Sequence, residues 1–105
     1  MEITSKTELE KIISENENAL IALRFHADWC APCRLLGQVI NEINIDNVIF
    51  VGVNVDDADE DFVNECNVRN IPTVLFYKNG LLVDRFTGMI GKDAILTKIK
   101  ENLEK

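Results

Sequence analysis

A chain of 105 residues is long enough to bury a hydrophobic core without disulfide or metal staples, and 47% hydrophobic with 28% charged residues is the balance of a soluble globular domain. A net charge of −7 argues against a nucleic-acid or anionic-membrane partner, since either needs excess Lys and Arg. Met1-Glu2-Ile3-Thr4-Ser5-Lys6 lacks a basic stretch followed by an apolar one, and no apolar run approaches the roughly 20 residues a bilayer requires. We therefore expect a cytoplasmic protein with one domain over 1–105.

Ser5 followed three residues later by Glu8 forms a capping-box pattern, and Leu9, Ile12 and Ile13 recur at helical spacing, which predicts an amphipathic helix near 5–16. Ala19 to Phe25 is predicted as a strand. From Cys30 onward, Leu35, Leu36, Val39, Ile40 and Ile43 fall at offsets of three and four, predicting a second helix whose buried face includes Cys33 and whose tip exposes Cys30. Val48 to Val55 is almost continuously apolar and β-branched, the pattern of a central strand covered on both faces and parallel to the preceding one. Asp59 to Cys66 reads as a short helix. Thr73–Lys78 and Leu81–Phe86 flank Asn79-Gly80, the strongest short-range hairpin signal. A last helix is predicted near Asp93–Glu104 with Ala94, Ile95, Ile99 and Leu103 inward. The order αβαβαββα gives an α/β fold with helices on both faces of a mixed sheet.

Trp29-Cys30-Ala31-Pro32-Cys33 lies between the first strand and the second helix, so two thiols stand one turn apart at a helix N-terminus. Unpaired backbone N–H groups and the helix dipole stabilise an anion there, which on Cys30 means a thiolate. Thiolates attack disulfides, and a second thiol two residues on is already in reach to resolve the mixed disulfide. Cys30 thus reads as nucleophile and Cys33 as resolver. Pro32 suits a first helical turn, where its missing N–H costs nothing. A zinc site would need further ligands at matching spacing, and only Cys66 and His26 remain, so no metal is expected. The acidic run Asp56-Asp57-Ala58-Asp59-Glu60-Asp61 lacks the glycine and distal glutamate of an EF-hand and reads as a solvated turn that caps the next helix. Cys66 reads as a small, buried or half-buried residue.

The chain resembles the thioredoxin family over nearly its whole length. Trp29-Cys30-Ala31-Pro32-Cys33 is similar to the family's Trp-Cys-Gly-Pro-Cys, Ile71-Pro72-Thr73 to its cis-proline loop, and Lys78-Asn79-Gly80 with Gly88 to its terminal hairpin and the glycine beyond. The resemblance implies a four- or five-stranded mixed sheet between helical layers, with Pro72 packed beside Cys30. It also implies a protein disulfide reductase with no bound cofactor besides its own Cys30–Cys33 disulfide, re-reduced by a flavin- and nicotinamide-dependent thioredoxin reductase. Its partners would be disulfide-containing proteins that dock on Trp29, Ala31, Pro32, Ile71, Pro72 and Gly88, and it would act as a monomer. The alternative is an interaction or assembly module using the same surface, with redox turnover incidental.

Two positions depart from that family, and both concern protons. Alternation places Leu20, Ala22 and Arg24 on one strand face, and in the resemblance Arg24 occupies the place of a buried aspartate that helps deprotonate the resolving cysteine. Gly52 stands where many members carry a lysine. Arg cannot act as a base, but its charge favours a thiolate, so Arg24 is read as a pKa-modulating residue unless it reaches solvent and pairs with Asp28 or Asp56. His26 is the only side chain whose ordinary pKa suits proton transfer near neutrality, and it shares the Arg24 face if the strand stays regular that far.

Overall fold

The computed structural model describes residues 1–105. Helix α1 (Lys6–Glu15) begins where Ser5, in extended backbone, accepts the Glu8 N–H at 3.3 Å. The reciprocal half of the cap is displaced by one residue. The Glu8 carboxylate accepts the Thr4 N–H at 3.2 Å instead of the Ser5 N–H, and this bond foremost holds its carboxyl below its usual value.

Seven further elements follow: β1 (Leu20–His26), α2 (Ala31–Asn41), β2 (Val48–Asn54), α3 (Glu60–Glu65), β3 (Thr73–Lys78), β4 (Leu81–Thr87) and α4 (Lys92–Leu103). The strands form one mixed sheet in the order β2-β1-β3-β4, with β1 parallel to β2 and antiparallel to β3. Asn79 and Gly80 turn β3 into β4, both with positive φ (52° and 84°), the backbone that Asn-Gly adopts most readily.

Alternation along β1 divides the core. Ile21, Leu23 and Phe25 pack with Leu9, Ile12, Val51, Val53 and Phe62 on the α1/α3 side. Leu20 and Ala22 pack with Leu36, Ile40, Val74, Phe76, Ile95 and Ile99 on the α2/α4 side. Helices therefore cover both faces, as the element order predicts.

Four expectations need correction. The apolar run of β2 marks an edge strand, not a central one; β1 and β3 are central. Its outer edge is covered instead by the N-terminal segment, where Glu2 forms a single parallel bridge to Gly52, with Ile3 N–H donating to Gly52 O at 2.9 Å and Gly52 N–H to Met1 O at 2.8 Å. Leu35 lies on the solvent side of α2, 54% exposed, because the buried stripe runs through Cys33, Leu36 and Ile40. In α4 the inward position falls to Asn102 in place of Ala94, since a helix bringing Ile95 and Ile99 inward turns residue 102 with them. Asn102 Nδ2 donates to Asp84 Oδ2 at 2.9 Å. Finally, Asp59 occupies the N-cap of α3, but its side chain makes no capping bond.

Leu36 is fully buried and seats α2 against β1. Leu36→Ala should cost about 2–5 kcal/mol, the range for Leu deletions in a packed core. Chemical denaturation should show a lower midpoint with an unchanged slope.

Candidate active site

The end of β1 delivers the chain to the redox pair. After His26 the backbone turns, Cys30 N–H donating to Ala27 O at 3.2 Å, and Cys30 becomes the N-cap of α2 in extended conformation (φ −90°, ψ 104°). Pro32 lies in the first turn, and no acidic side chain does. Cys30 Sγ accepts the Cys33 N–H at 3.2 Å. A sulfur thus fills the role that a Ser or Asp oxygen plays at most helix starts, and the donor that caps the helix also stabilises negative charge on that sulfur.

Cys30 and Cys33 are joined as a disulfide with their Cα atoms 5.2 Å apart. Cys30 is 5% exposed and Cys33 1%, so the expected order holds but the tip cysteine is largely covered. Ala27, Val55 and Ile71 pack around the pair. Trp29 projects beside it, 68% exposed, its Nε1–H donating to Asp56 Oδ2 at 2.9 Å. Ala31 and Pro32 are exposed at the tip of α2. The Ile71–Pro72 peptide is cis, Pro72 is buried, and Pro72 O accepts the Gly88 N–H at 2.8 Å. Gly88 has φ +91°, a conformation that favours glycine. An apolar groove of about 240 Å³ runs between Trp29, Val55, Val63, Val68 and Ile71.

On the α2 side of the sheet, β1 stays regular to its last residue, so Arg24 and His26 share a face. Arg24 is half-buried, and its Nη1–H points to Cys33 O at 3.4 Å. Its guanidinium lies against Gly37, where a Cβ would stand 3.6 Å from either terminal nitrogen. Burial pulls the Arg24 pKa down and the Glu2 charge opposes that shift. Neither Asp28 nor Asp56 pairs with it.

Glu2 is the residue that sequence reasoning missed. Its Oε1 lies 2.9 Å from His26 Nε2, forming an ion pair when the imidazole is protonated. Arg24 pairs in register with Gly52, which in turn bridges Glu2, so the three form one row across the sheet. A Cβ on Gly52 would overlap the Glu2 carboxylate. Only a strand register recognised in advance, with Gly52 as its gap, could have flagged Glu2.

Cys66 stands apart from this site. It is half-buried beside Tyr77 on the α1/α3 side, and burial pushes its thiol up, away from the reactive range.

A thioredoxin family model matches residues 1–101. The chain is 37% identical over 100 residues to thioredoxin of Mycoplasmoides gallisepticum, covering 93% of this chain and 97% of that protein. It is 35% identical over 89 residues to human thioredoxin, covering 83% and 84%. The crystal structure of Fasciola hepatica thioredoxin superposes with a TM-score of 0.87 at 33% identity, covering 95% of this chain and 96% of that one. With two cysteines bonded across a helix N-terminus beside an exposed tryptophan, and with that match along nearly the whole chain, the protein belongs to the thioredoxin family of thiol-disulfide oxidoreductases.

Proposed function

We propose that the protein reduces disulfides of protein substrates in the cytoplasm, acting as a monomer, with Cys30 as nucleophile and Cys33 as resolver. The hydrogen bond from Cys33 N–H to Cys30 Sγ carries the assignment, because it stabilises an anion on one sulfur and not on the other. Cys30 thiolate attacks a substrate disulfide and releases one substrate thiolate. Cys33 then attacks Cys30 Sγ, the bond from Cys30 to substrate breaks, and the second thiolate leaves. Two electrons pass from the dithiol to the substrate. A thioredoxin reductase returns them, and no cofactor is held by this chain.

Docking falls to Trp29, Ala31, Pro32, Ile71, Pro72 and Gly88. The groove between Trp29 and Ile71 suits apolar side chains flanking a substrate cystine, and Trp29 offers a rigid anchor held by Asp56. No helix is long and apolar enough to cross a membrane. Arg24 acts on the pair electrostatically: a half-buried cation hydrogen-bonded to the Cys33 carbonyl favours the thiolate form.

Cys33→Ser should accumulate mixed disulfides through Cys30, whereas Cys30→Ser should trap none and lose turnover with a protein disulfide such as insulin's. Wild-type rates in Cys30→Ser would remove the nucleophile assignment, and full biological activity in both variants would favour a docking module instead. For Arg24, one charge at roughly 6–8 Å and an effective dielectric near ~20 supplies about 2–3 kcal/mol as an upper figure. Solvent at a half-exposed guanidinium reduces it, so Arg24→Leu should raise the thiol pKa by about 1 unit. Ultraviolet thiolate absorbance against pH checks this, and superimposable titrations would exclude the electrostatic role.

A further inference from the structure

Resolution requires Cys33, 1% exposed, to give up a proton. Burial opposes thiolate formation, so a proton acceptor within reach of that sulfur governs the step. Arg24 touches the Cys33 backbone and cannot accept a proton. His26 can. Behind the pair, between β1 and α2, lies a cleft of about 280 Å³ lined by Arg24, His26, Asp28, Cys33, Arg34 and Asn41 among others. That space has room for several waters, with Arg24, His26 and Asn41 among their polar partners.

His26 is held for the task by a residue far from it in sequence. Its side chain is 14% exposed, and its Nε2 meets Glu2 Oε1 at 2.9 Å. Nε2–H donating to a carboxylate leaves Nδ1 as the acceptor, the tautomer a base requires, and the negative charge supports the imidazolium that forms. Two backbone hydrogen bonds, Ile3 N–H to Gly52 O and Gly52 N–H to Met1 O, position Glu2, and the missing Cβ of Gly52 opens the gap its carboxylate crosses. The charged and titratable groups around His26 are Glu2 from that segment, Arg24 from β1, Asp28 from the following loop, and Cys33 and Arg34 from α2. Opposite Arg24 and His26, β2 contributes only Gly52 and Asn54.

We propose that His26, oriented by Glu2 across Gly52, takes the Cys33 proton through the cleft both residues line, making the Glu2–His26 pair the proton carrier for resolution. This rests on the disulfide reductase reading and assigns its second step. The Cys33 S–H proton passes by water to His26, and the Cys33 thiolate attacks Cys30 Sγ. The Cys30–Cys33 bond forms as the bond from Cys30 to substrate breaks, and the departing thiolate takes its proton from solvent. Glu2 is a positioning residue in this scheme.

An aromatic disulfide, dithiobis(nitrobenzoate), separates the two steps, because attack by Cys30 releases one coloured thiolate and resolution by Cys33 releases a second. With the full-length reduced protein in stopped flow, His26→Gln should keep the first phase and slow the second at neutral pH by about tenfold or more, at or below the usual size of general acid–base effects. The two proteins should converge at alkaline pH, where Cys33 ionises unaided. Added imidazole should restore part of the lost rate. Glu2→Gln keeps the hydrogen bond but removes the charge that supports the imidazolium as it forms, so the second phase should slow at neutral pH while the first is kept, and the difference should vanish at alkaline pH. Gly52→Ala, which displaces the carboxylate and so breaks its hydrogen bond to His26, should also slow the second phase at neutral pH. A second phase unchanged in His26→Gln, or slowed equally at every pH without rescue, would overturn the proposal. Absence of both phases in the unmodified protein would remove the reductase reading itself.

Discussion

The contact between Cys33 N–H and Cys30 Sγ joins fold and chemistry at one point. A helix must satisfy the donors of its first turn, and here the atom that does so is a sulfur of the redox disulfide. The arrangement holds only if α2 starts at Cys30. Pro32 in the first turn favours that start, and Leu36 and Ile40 on the next turns lock the helix against β1 through Leu20 and Ala22. The reactive geometry is therefore set by packing well behind the cysteines, on rigid elements instead of a loop.

The same sheet face carries an arrangement of charge that a single strand could not supply. Arg24 places a cation under α2 and would by itself leave a desolvated positive charge beside an apolar core. Glu2 offsets it from the far side of β2, crossing a strand that has no side chain at Gly52. His26 then lies between the carboxylate and the cleft that reaches Cys33. Covering the β2 edge and supplying a carboxylate are thus one structural event. The bridge that protects an otherwise open sheet edge also determines the electrostatics behind the redox pair.

Local signals carried much of this to the reader of the sequence. Asn79-Gly80 specified its turn because both residues tolerate positive φ, and the helix through Leu36 and Ile40 followed from spacing alone. The cysteine pair was legible because motif and helix start coincide. What escaped depended on partners distant in sequence. An apolar run such as Val48–Val55 reads alike in a central strand and in an edge strand covered by another segment, so the place of β2 required the N-terminal bridge to be known. Asn102 shares the inward phase of Ile95 and Ile99, but its polar side chain hid it as a core residue because the group that accepts from its amide, Asp84 of β4, is distant in sequence. Glu2 looked like one acidic residue among eighteen until the register set it across Gly52 from Arg24. Asp56 could equally have answered Arg24, and only the tertiary structure shows that it holds Trp29.

The claim on which all of this depends is that the helix start makes the Cys30 sulfur the anion of the pair. Alkylation of the reduced, unmodified protein with iodoacetamide across pH, with the modified residue identified by mass spectrometry, addresses it without any substitution. Cys30 should react first and almost alone, with a half-maximal rate well below the ~8.5 of an ordinary thiol. First modification at Cys33 or Cys66, or a Cys30 profile indistinguishable from a free thiol's, would contradict the account.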